Sequence, residues 1–107
     1  MEARLKTEIW VGAYVRRCHA SGAPAFVTRK GDPDAGAVLV VIDRLDGTSR
    51  VFERVRDGKG ALVFAPLTEW TDALAVQAAL DRQTKFDPDL WIVAVESRTG
   101  EAFLDEY

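Results

Sequence analysis

The sequence predicts an α+β fold: an antiparallel four-stranded meander and a fifth strand packed against two amphipathic helices, in the order α-β-β-β-β-α-β. Three observations carry that expectation. Apolar residues recur at helical spacing near the start of the chain and again after Thr71. Between these stretches lie four short β-prone runs, "AFVTRK", "AGAVLVVID", "TSRVFERVRD" and "ALVFAPL", divided by "GDPD", "RLDG" and "DGKG". Connections this short favour antiparallel neighbours. The apolar run "LWIVAVESR" then follows the second helix.

The first helix is expected from Thr7, with Val11, Tyr14, Val15 and Cys18 as its apolar stripe and Ile9 and Trp10 beside it. Thr7 is a capping residue type, Glu8 suits the positive end of the helix dipole, and Gly22 can take the left-handed turn that ends it. Arg16 and Arg17 complement the other end. In the sheet, Ala37 to Ile42 is apolar on both faces, the signature of a central strand. The next run alternates: Arg50, Phe52, Arg54 and Arg56 share one face, and Val51, Glu53 and Val55 the other. The second helix is expected to be capped by Thr71, to bury Ala73, Val76 and Leu80, and to end at Asp87 and Pro88. The tail "EAFLDEY" is expected to extend a hairpin through "RTG" or to fray.

A chain of 107 residues fits one domain spanning 1–107, and 48% apolar with 29% charged residues is an ordinary globular balance. The net charge of −3 argues against a general nucleic-acid binder, which needs a broad basic surface. Cys18 is the sole cysteine and has no internal disulfide partner, so nothing points to an oxidising compartment. "MEARLKTEIW" does not read as a leader peptide, and no apolar run is long enough to span a bilayer. The expected location is cytoplasmic, with no membrane association.

The tripeptide "DPD" occurs twice, at Asp32 to Asp34 and Asp87 to Asp89, each time just before a β-rich run. Proline disfavours helix in the residue before it, and an aspartate carboxylate can accept from nearby amides, so turn formation accounts for both copies. Neither has the alternating acids, central glycine and distal glutamate of a calcium loop.

Cys18 and His19 are the only thiol and imidazole, but neighbouring helix positions diverge by about 100° and do not face one another. One cysteine and one histidine also leave the usual zinc ligand set unfilled. No phosphate loop, dinucleotide fingerprint or nucleophile elbow is present, so no cofactor is expected. The order α-β-β-β-α-β is shared with the core of many metal-dependent nucleases, and Asp34 with Glu53 forms the nearest approach to their cation site. The lysine such sites place two residues after the glutamate is replaced here by Val55. Glu53, set between two valines, calls for a partner, an edge position or a bulge. The basic face, Arg50, Phe52, Arg54 and Arg56, with Arg29 and Lys30 on an adjoining strand, could bind phosphate, carboxylate or a stacked base.

Taken together, "RLKTEIWVGAYVRRC", "GDPDAGAVLVVIDRLDG" and "FDPDLWIVAVESRTG" resemble a family of small alphaproteobacterial proteins known only as a domain of unknown function. The resemblance runs along nearly the whole chain. It implies a bacterial cytosolic origin and assigns no activity, cofactor or catalytic residue. The function expected from the sequence is therefore that of a small non-enzymatic interaction or adaptor domain, with a protein partner or a second copy as ligand. Trp10 and Trp70, near the helix starts, are the candidate anchors, and Trp91 belongs to the core. The alternative is a nucleic-acid-binding or nuclease-like protein that uses the arginine-rich strand, with Asp34 and Glu53 as cation ligands.

Overall fold

The computed structural model describes residues 5–104. Its elements run α1 (Thr7–Ala20), β1 (Ala25–Arg29), β2 (Val38–Asp43), β3 (Ser49–Arg56), β4 (Leu62–Pro66), α2 (Ala73–Phe86) and β5 (Trp91–Glu96), the order the sequence predicts. The five strands form one sheet in the order β1-β5-β2-β3-β4. The meander is thus real for β2, β3 and β4, whose neighbours are antiparallel. It does not extend to β1. There β5 inserts, antiparallel to β1 and parallel to β2.

The physical reason lies in the two strands themselves. β2 and β5 are the runs that are apolar on both faces, and only central positions bury both faces of a strand. Val40 and Ile42 of β2 and Val93 and Val95 of β5 are sealed from water, each such side chain contributing about 1.5–3 kcal/mol. Alternation then divides the core into two layers. Val38, Val40, Ile42, Trp91, Val93, Val95 and Ala25 meet Trp10, Val11, Tyr14 and Cys18 of α1. Leu39, Val41, Val51 and Ile92 meet Val76 and Leu80 of α2 on the other side.

Both helices differ from expectation at their first turn. Thr7 is the first helical residue of α1, and no side chain caps the preceding Lys6. Its hydroxyl donates instead to Gly36 O at 2.9 Å, while Thr7 N and Glu8 N donate to the carbonyls of Asp34 and Pro33. The first "DPD" loop therefore satisfies the amides that a helix start leaves open. In α2 the cap is Asp72, whose carboxylate accepts from Ala75 N at 2.9 Å, one residue later than predicted. Val76 and Ala79 are its buried residues, and Ala73 is exposed. Gly22, with φ of 83°, ends α1 in the left-handed turn expected of it.

The tail makes no strand within the described residues. Residues 101–104 run beside α1, where Ala102 O accepts from the Tyr14 hydroxyl at 2.6 Å and Phe103 O from Arg17. The remainder of "EAFLDEY" lies outside the described residues. No described helix is long and apolar enough to cross a membrane.

Candidate functional site

The two "DPD" turns meet at one end of the sheet. Asp32 N donates to Asp89 O at 2.9 Å, and Arg29 reaches Pro88 O at 2.7 Å. The contact is close enough to require glycine: a Cβ on Gly31 would sit 2.0 Å from Asp89 O, and one on Gly36 2.6 Å from the same atom. The Trp91 indole N–H donates to Asp32 O at 2.7 Å and pins the turn to the core.

The carboxylates act locally. Asp32 accepts from Ala35 N and Asp87 from Asp89 N, while Asp34 pairs with Lys6 at 3.6 Å in an exposed contact. The same device recurs in the other turns, where Asp43, Asp46 and Asp57 accept from amides two residues on. At Asp46 the Thr48 hydroxyl, followed by the Thr48 amide, holds the carboxyl below its ordinary value. No group of three or more metal-ligating side chains converges among the described residues.

Asp34 and Glu53 lie apart. Glu53 faces Leu39 and Ala65 across the ladders, which puts it on the α2 side of the sheet. Asp34 stands in the loop beside the start of α1. Glu53 is half-buried, and no arginine or lysine forms an ion pair with it among the described residues.

The arginine-rich strand does present Arg50, Phe52, Arg54 and Arg56 on one face, the side of α1, as alternation requires. The structure gives these side chains internal work. Arg50 Nε donates to Thr68 O at 2.9 Å, its guanidinium pairs with Glu69 at 3.3 Å, and it lies 5.8 Å from the Trp70 ring centre. Arg44 stacks on the same ring at 3.9 Å. Arg56 donates to Gly60 O within its own hairpin at 2.7 Å, and Phe52 packs on the core. Arg54 lies 5.6 Å from the ring centre of Trp10. Arg29 and Lys30 do not adjoin this strand, because β5 and β2 stand between β1 and β3.

Cys18 and His19 point apart as the helix geometry demands. Cys18 is fully buried, and burial pushes its thiol above its ordinary value, with Tyr14 and Arg17 opposing. His19 Nε2 lies 3.1 Å from Ala25 O, and since a carbonyl can only accept, the imidazole donates there.

One concave feature combines several of these residues. A pocket of about 350 Å³ opens between the start of α1, the loop before β2 and the β3–β4 hairpin, lined by Leu5, Thr7, Trp10, Asp34, Ala35, Ala37, Arg54 and Leu62. Trp10 stacks on Tyr14 at 5.1 Å and on Phe64 at 5.3 Å, so its ring is a fixed surface of the pocket and not a protruding anchor. The sequence names Trp10, Asp34 and Arg54 but not their meeting. Leu5, Ala35, Ala37 and Leu62 carry no signal in the sequence, because only the tertiary approach of three separate segments gives them a common space.

A crystal structure of a DUF1491 family protein from Caulobacter crescentus CB15 matches with a TM-score of 0.89 at 42% identity, covering 96% of this chain and 97% of that one. An NMR structure of a DUF1491 family protein from the same organism gives 0.85 at 42% identity, over 98% and 96% of the two chains. The solution structure of an A. tumefaciens protein gives 0.83 at 29% identity, over 95% and 93%. No curated protein matches the chain. The family model described as "Protein of unknown function (DUF1491)" matches residues 5–105, and the chain belongs to that family.

Proposed function

We propose that this chain is a small non-enzymatic interaction domain that receives an apolar side chain of a partner protein in the pocket beside Trp10. One observation carries the reading: a concavity with an aromatic surface and aliphatic walls has charge of both signs on its lining. Leu5, Trp10, Ala37 and Leu62 provide the apolar surface, and Asp34 and Arg54 the charge. Mostly apolar pockets with a few orienting polar groups are the usual form of a binding site. An occupant with one large apolar side chain flanked by polar backbone matches this chemistry.

The experiment is selection of peptides from a random display library on the immobilised chain. Selected peptides are expected to share an aliphatic or aromatic residue, and to bind at least about tenfold more weakly to Leu62→Asp. Ala37→Glu, at an exposed position, gives the same loss without touching the core. Failure to enrich any sequence, or enrichment indifferent to both substitutions, overturns the reading.

We also place the chain in the cytosol. A sole cysteine kept as a buried free thiol supports a reducing compartment. Fractionation of an alphaproteobacterium expressing a tagged copy is expected to return it with cytosolic markers, and recovery with periplasmic markers refutes the assignment.

A further inference from the structure

We infer that the outer edge of β1 is a second docking surface, which takes an extended acidic segment of a partner protein by strand addition. Glu96 N donates to Pro24 O, so Pro24 faces β5, and the alternation of an antiparallel pair turns Ala25 and Val27 outward. The His19 contact agrees, since Ala25 O lies on the outer side where the imidazole meets it. Val27 is left with both an N–H and a C=O directed away from the sheet. That is the template a peptide strand needs.

The side chains along this edge are unusually apolar for a solvent-facing strand. Phe26 is 52% and Val27 41% exposed, on opposite faces of the sheet. The other edge, β4, ends in Pro66, which cannot donate to a ladder. β1 has no such block, and its bulge lies between Val27 and Arg29, past the two outward residues.

Charge selects the occupant. Lys30 follows β1, and Arg16 lies one turn before His19 on α1; both are exposed. Among the described residues no carboxylate forms an ion pair with Arg16, Arg29 or Lys30, although the chain as a whole is acidic. A segment alternating acidic and aliphatic residues would exchange two hydrogen bonds with Val27, cover Phe26 or Val27 with its aliphatic side chains, and set its carboxylates toward Arg16 and Lys30. A second copy of β1, whose sequence is AFVTR, would bring no carboxylate to meet Arg16 and Lys30.

This surface lies at the opposite edge of the sheet from the hairpin that lines the Trp10 pocket, so the two readings fail separately. The probe is a fluorescein-labelled peptide alternating Glu and Val, with its Lys-Val counterpart as control, titrated into the full chain. The Glu-Val peptide is expected to bind, to weaken with added salt, and to protect the Val27 amide from hydrogen exchange. Val27→Pro removes the outward donor without cutting a bond to β5, and it should abolish binding. Val27→Glu keeps the donor and adds like charge, and the pair Arg16→Glu with Lys30→Glu reverses the local field; each should weaken binding by roughly tenfold or more. Ala37→Glu should leave it unchanged. Equal binding of the two peptides, binding that survives Val27→Pro, no binding of either, or self-association abolished by Val27→Pro would each overturn the inference.

Discussion

The same tripeptide serves two different neighbours. At Asp32 to Asp34 the carbonyls of Pro33 and Asp34 accept from the first amides of α1, and Asp32 O accepts from the Trp91 indole. At Asp87 to Asp89 the Pro88 carbonyl takes the Arg29 guanidinium, and Asp89 O takes Asp32 N from the other turn. In both copies the side chain of the first aspartate shapes the turn, and main-chain oxygens accept the long-range hydrogen bonds. A repeated acidic motif can therefore be architectural through its backbone, with its charge incidental.

The contrast can be broken most severely at the junction of the turns. Gly31→Ala places a methyl group 2.0 Å from Asp89 O, and since main chain cannot yield as a side-chain tip can, a loss of at least about 3 kcal/mol is expected in chemical denaturation. Gly36→Ala meets the same carbonyl at 2.6 Å and should cost less. Next comes Trp91→Phe, which removes the donor to Asp32 O and part of a buried ring, for about 2 kcal/mol by the same measurement. Thr7→Val keeps the shape but leaves Gly36 O without its buried donor, for about 1–2 kcal/mol. The smallest effect sharpens the point: Asp34→Asn cuts only an exposed ion pair with Lys6 and should change stability by less than about 0.5 kcal/mol. Its thermal midpoint should respond to magnesium or calcium no differently from the parent chain. A large loss in Asp34→Asn beside a neutral Gly31→Ala would invert the comparison.

Much of the fold was legible because its signals are local. Helical spacing marked α1 and α2, apolar runs marked β2 and β5, and Asp with Gly or Pro marked the three connections between β1 and β4 and the one before β5. What escaped was pairing. Nothing within "AFVTRK" or "LWIVAVESR" states that they are neighbours, and the insertion of β5 follows from a competition for the sheet centre that only the whole set of strands decides. That insertion also carried Arg29 and Lys30 away from the arginine strand. Thr7 was misread as a cap for a related reason: it is the right residue type, but a loop 29 residues further on supplies the acceptors. At the candidate site, Arg50, Phe52, Arg54 and Arg56 were correctly placed on one face by alternation. Their engagement by Trp70, Thr68 O and Gly60 O depended on partners the strand itself cannot name.

The position of β5 bears on how the protein is made. Every other element emerges from the ribosome before the strand that must lie between two of them. Until it arrives, β1 has no partner and one edge of β2 stays open, so β2, β3 and β4 can pair but the sheet cannot be joined to β1. Completion of the sheet should be late and abrupt during synthesis, governed by contacts far apart in sequence.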